Sequence, residues 1–316
     1  MKLKFRKLLT IVLMLSLVLS GCAQLPAQVA AVQEEELSRE YNANEMYIIL
    51  ASRKNEVRDI YTNEIFDVKI NEQGNTYSEA FEKMAEDYIT KMYVMTRMCE
   101  ERGLEINTTD LRAIEERSEA YMKDFKNSGN TFDITKDDII QILSDEYLTG
   151  LLKEAIIEES NVEVSESDAR VMDIIRITLD DSEAANATLE EVSKEDTDFE
   201  AVARRNSTDS EIDLKVAKGD LEPSIEEIIF NLEDGEISPI MQINGSYYII
   251  KCVSGYDEEA TAVKREKMAT ERQNEVVAHA YDEFFSANEY TLPQDEWNKA
   301  VSMCRENGNC PDVFEY

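Results

Sequence analysis

The chain has 316 residues, 33 of them Lys or Arg and 67 Asp or Glu, for a net charge of −34 at pH 7. That excess of negative charge repels nucleic acid and anionic lipid, and it favours solubility and cationic partners. Because 43% of the residues are hydrophobic and fall in periodic segments, the composition is that of folded domains rather than of a disordered chain.

Lys2, Lys4, Arg6 and Lys7 precede an apolar run from Leu8 to Leu19, which leads into Leu19-Ser20-Gly21-Cys22. The run is too short to span about 30 Å of hydrocarbon as a helix, and it suits the h-region of a signal peptide. Small residues before a cysteine resemble the lipobox of bacterial lipoproteins, which implies cleavage before Cys22 and a lipid on its thiol. An ordinary secretory signal with a chance cysteine is the alternative. Loss of residues 1–21 leaves 295 residues with 29 basic and 67 acidic groups, a charge of −38. Residues 22–40 read as a tether.

From Tyr41 to about Val164 the pattern is mostly helical, and Met46 to Ile70 is left without an assignment. Phe81, Met84, Tyr88, Met92, Met95 and Cys99 recur at three- and four-residue spacings, the mark of one helix face, and Gly103 is its stop. The methionines fit either an adaptable surface for unfolded chains or ordinary packing between helices. A second helix begins near Thr108 or Thr109. A third starts at the capping-box pattern Thr135-Lys136-Asp137-Asp138, with Ile139, Ile142, Leu143, Tyr147, Leu151 and Ile156 as its apolar stripe.

At Val171 the period changes. Val171 to Leu179 reads as a strand, Ser182 to Val192, Phe199 to Arg205 and Ile225 to Leu232 as short helices, and Ile237 to Ile243 and Tyr247 to Val253 as strands. Asn244-Gly245 between the last two is the hairpin signal, since both residues accept positive φ. A charged helix runs from Asp257 to about Ser286, and beyond Pro293 lies a Cys-containing tail with a lone tryptophan, Trp297. Cys304 and Cys310 flank a turn-prone loop and are a disulfide candidate. Cys99 and Cys252 read as small buried apolar residues. No pair of cysteines has metal-ligand spacing, and the single histidine, His279, lies in a helical stretch, so no metal site or cofactor is expected.

Five stretches carry a family resemblance. Asp198-Phe199-Glu200-Ala201-Val202-Ala203, Ser207-Thr208-Asp209, Lys218-Gly219-Asp220-Leu221, Ile229-Phe230 through Ile237-Ser238, and Tyr247-Tyr248-Ile249-Ile250-Lys251 match, in order, the patterns of the parvulin family of peptidyl-prolyl isomerases. With the flanking helical segments and the lipobox, the whole chain resembles PrsA- and SurA-type foldases. The resemblance implies an α+β protein: a mostly helical chaperone lobe (41–165), an inserted parvulin-like domain (166–256) with a small antiparallel sheet flanked by short helices, and a C-terminal helix and tail (257–316) whose helix packs on the N-terminal lobe.

Parvulins use two histidines, a Cys or Asp between them, and a Met/Phe pocket for proline. Here the first histidine would fall within Asp173–Ile175, where there is none, and the second is Tyr248. Asp209 stands at the Cys/Asp position, so Asp209 and Tyr248 are the candidate catalytic pair; the alternative is that Asp209 caps a turn and Tyr248 packs in the sheet. Ile225 replaces the pocket phenylalanine, and Ile225 and Phe230 are the expected pocket residues. The implied function is a membrane-anchored extracytoplasmic folding factor. It would bind unfolded exported chains through the helical lobe and carry an isomerase domain of weak or lost catalysis. An active isomerase and a surface lipoprotein docking one partner are the alternatives.

Overall fold

A computed structural model describes residues 40–316. The expected signal peptide, Cys22 and nearly all of the tether lie outside the described residues. The described chain is mostly helical with one four-stranded antiparallel sheet, an α+β architecture. It divides into two compact units, residues 40–149 with 290–316, and residues 150–289.

The first unit is built around α1 (Ala43–Ile60), in the stretch without a sequence assignment. Met46, Tyr47, Ile48, Ile49, Leu50 and Ala51 are all buried, so the first half of this helix is apolar on every side and shows no helical stripe. Its start is nevertheless encoded locally: the Asn42 side chain accepts from the amides of Asn44 and Glu45, and Glu45 returns a bond to the Asn42 amide, a capping box.

Helix α2 (Tyr77–Arg102) comes next and ends at Gly103, which takes φ of +67° as the expected stop. Phe81, Met92, Met95 and Cys99 point into the core, but Met84 is 52% exposed. Helix α3 (Thr108–Asn127) and helix α4 (Lys136–Ser160) succeed it. Thr135 and Asp138 exchange side chain-to-amide bonds of 2.8 and 3.2 Å at the start of α4, as the capping pattern requires.

The stretch after Pro293 is a helix, here named α10 (Gln294–Glu306), rather than an extended tail. Trp297, Ala300 and Val301 are buried in the core that also holds α1. Beyond it the backbone amide of Val313 donates to Ser52 Oγ at 3.0 Å, and the Tyr47 hydroxyl donates to the Asn307 carbonyl at 2.8 Å. Cys304 and Cys310 are both buried in this core, and both are free thiols rather than a disulfide. Burial pushes the Cys310 thiol up to about 12 and raises Cys304 as well.

The second unit is organised on β1 (Val171–Leu179), preceded by a one-turn helix, α5 (Glu166–Ala169). The sheet order is β2 (Asp213–Ala217), β1, β4 (Ser246–Ser254), β3 (Met241–Ile243), all antiparallel. Successive side chains of a strand point to opposite faces, and β1 is covered on both. Ile175, Ile177 and Leu179 pack with Ala185 and Val192 of α6 (Ser182–Val192) and with Phe199, Val202 and Ala203 of α7 (Phe199–Asn206). Met172 and Ile174 pack on the other face with Val216, Ile250 and the short helix α8 (Pro223–Ile229).

Strand β3 is shorter than expected. Pro239 has no N–H for the ladder, and only an isolated bridge from Ile237 to Lys251 precedes it. Asn244 and Gly245 take φ of +50° and +93°, as the hairpin signal requires. Helix α9 (Glu258–Ala287) groups with this second unit, where it packs on α5 and β1, and it is α10 and the tail that join the first. The family resemblance instead attaches the helix after 257 to the N-terminal lobe.

The packing of the first unit makes two stability predictions. Replacing exposed Met84 with Ser should change stability by no more than about 0.5 kcal/mol, whereas Met92→Ala should cost about 2–5 kcal/mol. Equal effects in denaturant titrations would contradict the assignment of Met92 to the core. Burial also raises the phenols of Tyr41, Tyr47 and Tyr121 above their ordinary value of 10.0, and for Tyr41 the charge of Asp145 adds to the effect. The native state therefore holds them neutral while the unfolded chain ionises near pH 10. Their stabilisation is complete below that pH and is lost as pH rises above it. In an alkaline titration the last tyrosines should ionise together with loss of helix; full ionisation ahead of helix loss would contradict this.

Candidate functional site

The α8 face of the sheet carries a cavity of about 480 Å³. Ile174 of β1, Leu214 and Val216 of β2, Ile225 of α8, Ile243 of β3 and Ile250 of β4 give it an apolar wall, and Arg176, Asp220, Glu222 and Tyr248 bring polar atoms to it. It has the size usual for a small-ligand site, with an apolar wall and several polar groups beside it.

Alternation on β1 places Arg176 here. Ile174, Arg176 and Thr178 share one face, and Arg176 is paired with Ile250 and Thr178 with Tyr248 across the β1–β4 ladder. The segment after α7 runs along the other edge of β1. The amide of Thr208 donates to the Thr178 carbonyl at 2.8 Å, and the amide of Arg176 donates to the Ile212 carbonyl at 2.8 Å. Ser207 Oγ accepts from the Thr178 amide at 3.1 Å. These bonds bring Asp209 alongside β1, where its Oδ2 accepts from Arg176 Nη2 at 2.8 Å and from Thr178 Oγ1 at 3.1 Å.

The guanidinium also faces the Tyr248 ring, 5.9 Å from its centroid, at the outer limit of a cation–π contact. Asp209 and Tyr248 are therefore brought to one place, joined by a residue that the motifs do not single out. Tyr248 and Arg176 line the cavity, and Asp209 reaches it only through Arg176.

The loop at the cavity rim is set by Glu226. Its Oε1 accepts from the amides of Gly219, at 2.6 Å, and Leu221, at 3.2 Å. Gly219 sits at φ of +89°, a conformation that a side chain would strain, so the Gly of Lys218-Gly219 is required there. Asp220 accepts from the Ala217 amide at 2.9 Å and pairs with Lys264 of α9 at 3.7 Å. The α8 helix then begins at Pro223, which needs no amide partner in the first turn.

Of the two expected pocket residues, Ile225 lines the cavity. Phe230 does not: it caps the end of α8, where its carbonyl accepts from Arg170 Nη1 at 3.0 Å and its ring lies 5.5 Å from the Arg170 guanidinium. The wall is completed instead by Leu214 and Val216 from β2, a five-residue edge strand too short to announce itself by periodicity. An arginine inside a mostly apolar strand is the available signal for the missing polar residue, since such a side chain enters a buried strand only where a partner or a cavity receives it. His279 lies on α9, within Glu258–Ala287, and is not among the residues lining the cavity.

The family model of the PPIC-type PPIase domain matches residues 159–265, the part of the chain that holds this sheet and cavity. A foldase protein PrsA of Streptococcus equi subsp. zooepidemicus is 26% identical over 193 residues, covering 54% of this chain and 58% of the relative; that of Streptococcus equi subsp. equi matches over the same span. The chain thus spans 58% of the length of these curated relatives. Among solved structures, a peptidylprolyl isomerase (PrsA) of Bacillus cereus aligns over 74% of this chain and 96% of its own at 18% identity, with a TM-score of 0.37. PrsA of Bacillus subtilis aligns over 73% and 96% at 16% identity, with a TM-score of 0.27. The sheet and cavity thus lie within a PPIC-type PPIase domain, and the chain is similar to foldase proteins of the PrsA type.

Proposed function

We propose that the protein is an extracytoplasmic folding factor, anchored through lipid on Cys22, that binds unfolded exported chains. In this reading the helical lobe supplies most of the client contact. The parvulin-type domain holds proline-containing segments with little or no turnover. One observation carries it: the domain has a cavity with an apolar wall, and the polar side chains lining it are Arg176, Tyr248, Asp220 and Glu222, with Asp209 behind Arg176 and no histidine among these described residues.

Rotation about an X–Pro bond crosses a barrier near 20 kcal/mol set by amide resonance, and it needs no cofactor. Acceleration requires groups that favour the twisted amide over the planar one. The acidic surface agrees with clients that are basic and unfolded, because opposite charge speeds their encounter.

Two experiments test this reading. The mature protein should suppress aggregation of several unrelated unfolded proteins, while accelerating cis–trans exchange of a proline peptide by less than about tenfold in NMR exchange spectra, well short of the ~10²-fold usual for one placed acid–base group. Acceleration beyond that, lost in Asp209→Ala, would make the protein an isomerase. Suppression of no aggregation together with capture of a single protein would make it a docking module. Separately, Cys22→Ala should release the protein from the membrane fraction, and retention there would contradict the lipid anchor.

A further inference from the structure

Among the described residues lining the cavity Arg176 is the one cation, and only part of its hydrogen-bonding capacity is used. Nη2 is committed to Asp209 at 2.8 Å, and Asp209 is in turn fixed by Thr178 Oγ1. Nε is buried without a partner. Nη1 makes no hydrogen bond among the described residues and is not shut off from solvent. The side chain is 23% exposed, so a residue that lines the cavity keeps one donor, Nη1, unspent. We infer that Arg176 is a binding residue for peptide: its Nη1 donates to the carbonyl oxygen of the residue preceding proline, while the ring occupies the wall of Ile174, Ile225 and Ile250. This rests on the reading that the cavity takes proline-containing segments.

Charge selects the acceptor. Arg176 is already paired with the Asp209 carboxylate, and Asp220 and Glu222 stand at the same cavity. A second carboxylate from a client would meet two negative groups and a half-neutralised cation, so a neutral carbonyl dipole fits better than an acidic side chain. The bond also has a consequence for turnover. Resonance puts negative charge on the carbonyl oxygen in the planar amide, and twisting withdraws it to nitrogen. A donor aimed at that oxygen is therefore strongest in the planar ground state, and it strengthens binding without lowering the barrier. Arg176 would hold either isomer and release it unchanged.

The test uses the mature protein and two NMR-titrated probes, acetyl-Ala-Ala-Pro-Ala-amide and its analogue with sulfur replacing the carbonyl oxygen before proline. Wild type should bind the oxygen peptide about tenfold or more tighter than the sulfur one, the loss expected when a hydrogen bond to a charged donor is removed. Arg176→Met should bind both probes equally and as weakly as wild type binds the sulfur peptide. Asp209→Asn, which removes the countercharge and keeps an acceptor, should fall between, and cis–trans exchange should be unchanged in all three proteins.

Equal binding of the two probes by wild type would overturn the inference even if Arg176→Met proved unstable. Accelerated exchange that disappears in Arg176→Met would overturn it too, since Arg176 would then favour the twisted amide. If wild type binds neither probe yet still suppresses aggregation, the inference fails while the folding-factor reading stands.

Discussion

Burial of β1 on both faces is the constraint on which the second unit depends. A strand in this position has no solvent side, so each residue must be matched to one of two cores: Ile175, Ile177 and Leu179 to the helices α6 and α7, and Met172 and Ile174 to α8 and the cavity. A slip of one residue would exchange the two sets and put Arg176 into the packed face. The register is instead pinned on both edges, by β2 and the 207–212 segment on one side and by β4 on the other. Arg176 can lie in this strand only because its face opens on the cavity and Asp209 meets it. A charge left without a partner in such a place would cost several kcal/mol.

Asp209 then has two tasks that its motif alone does not separate. It neutralises Arg176, and it takes one nitrogen of the fork while Nη1 stays without a hydrogen bond among the described residues. The bonds from Thr178 and from the 207–208 backbone hold the half-exposed carboxylate beside β1. The site is thus a rigid sheet surface with a pre-oriented donor, the arrangement that favours binding at low entropic cost.

Much of this is legible in the sequence, and the exceptions have physical causes. The apolar, β-branched run of β1, the Asn244-Gly245 turn and the Ser207-Thr208-Asp209 motif announce the sheet, its hairpin and the acidic residue beside it. Arg176 is outside the five motifs, and its role depends on which β1 side chains share a face, a fact that only the register supplies. The motif around Phe230 points to the pocket, but Arg170 holds the Phe230 carbonyl at the end of α8, and the wall there comes from β2. Helix α1 lacks a stripe because its first half is buried all round, and only its capping box at Asn42 and Glu45 gives it away. Pro293 suggests the start of a tail, although proline is equally at home at the beginning of a helix, and there it introduces α10 with its buried Trp297.

The central claim is that the cavity around Arg176 is where a proline-containing chain is held. Titrating the isotope-labelled mature protein with acetyl-Ala-Ala-Pro-Ala-amide and mapping amide shifts tests it most directly. The account predicts saturable shifts concentrated at Ile174, Arg176, Leu214, Tyr248 and Ile250, and none there when glycine replaces the proline of the peptide. Shifts confined to the residues of the first unit, or equal for the proline and glycine peptides, would contradict it.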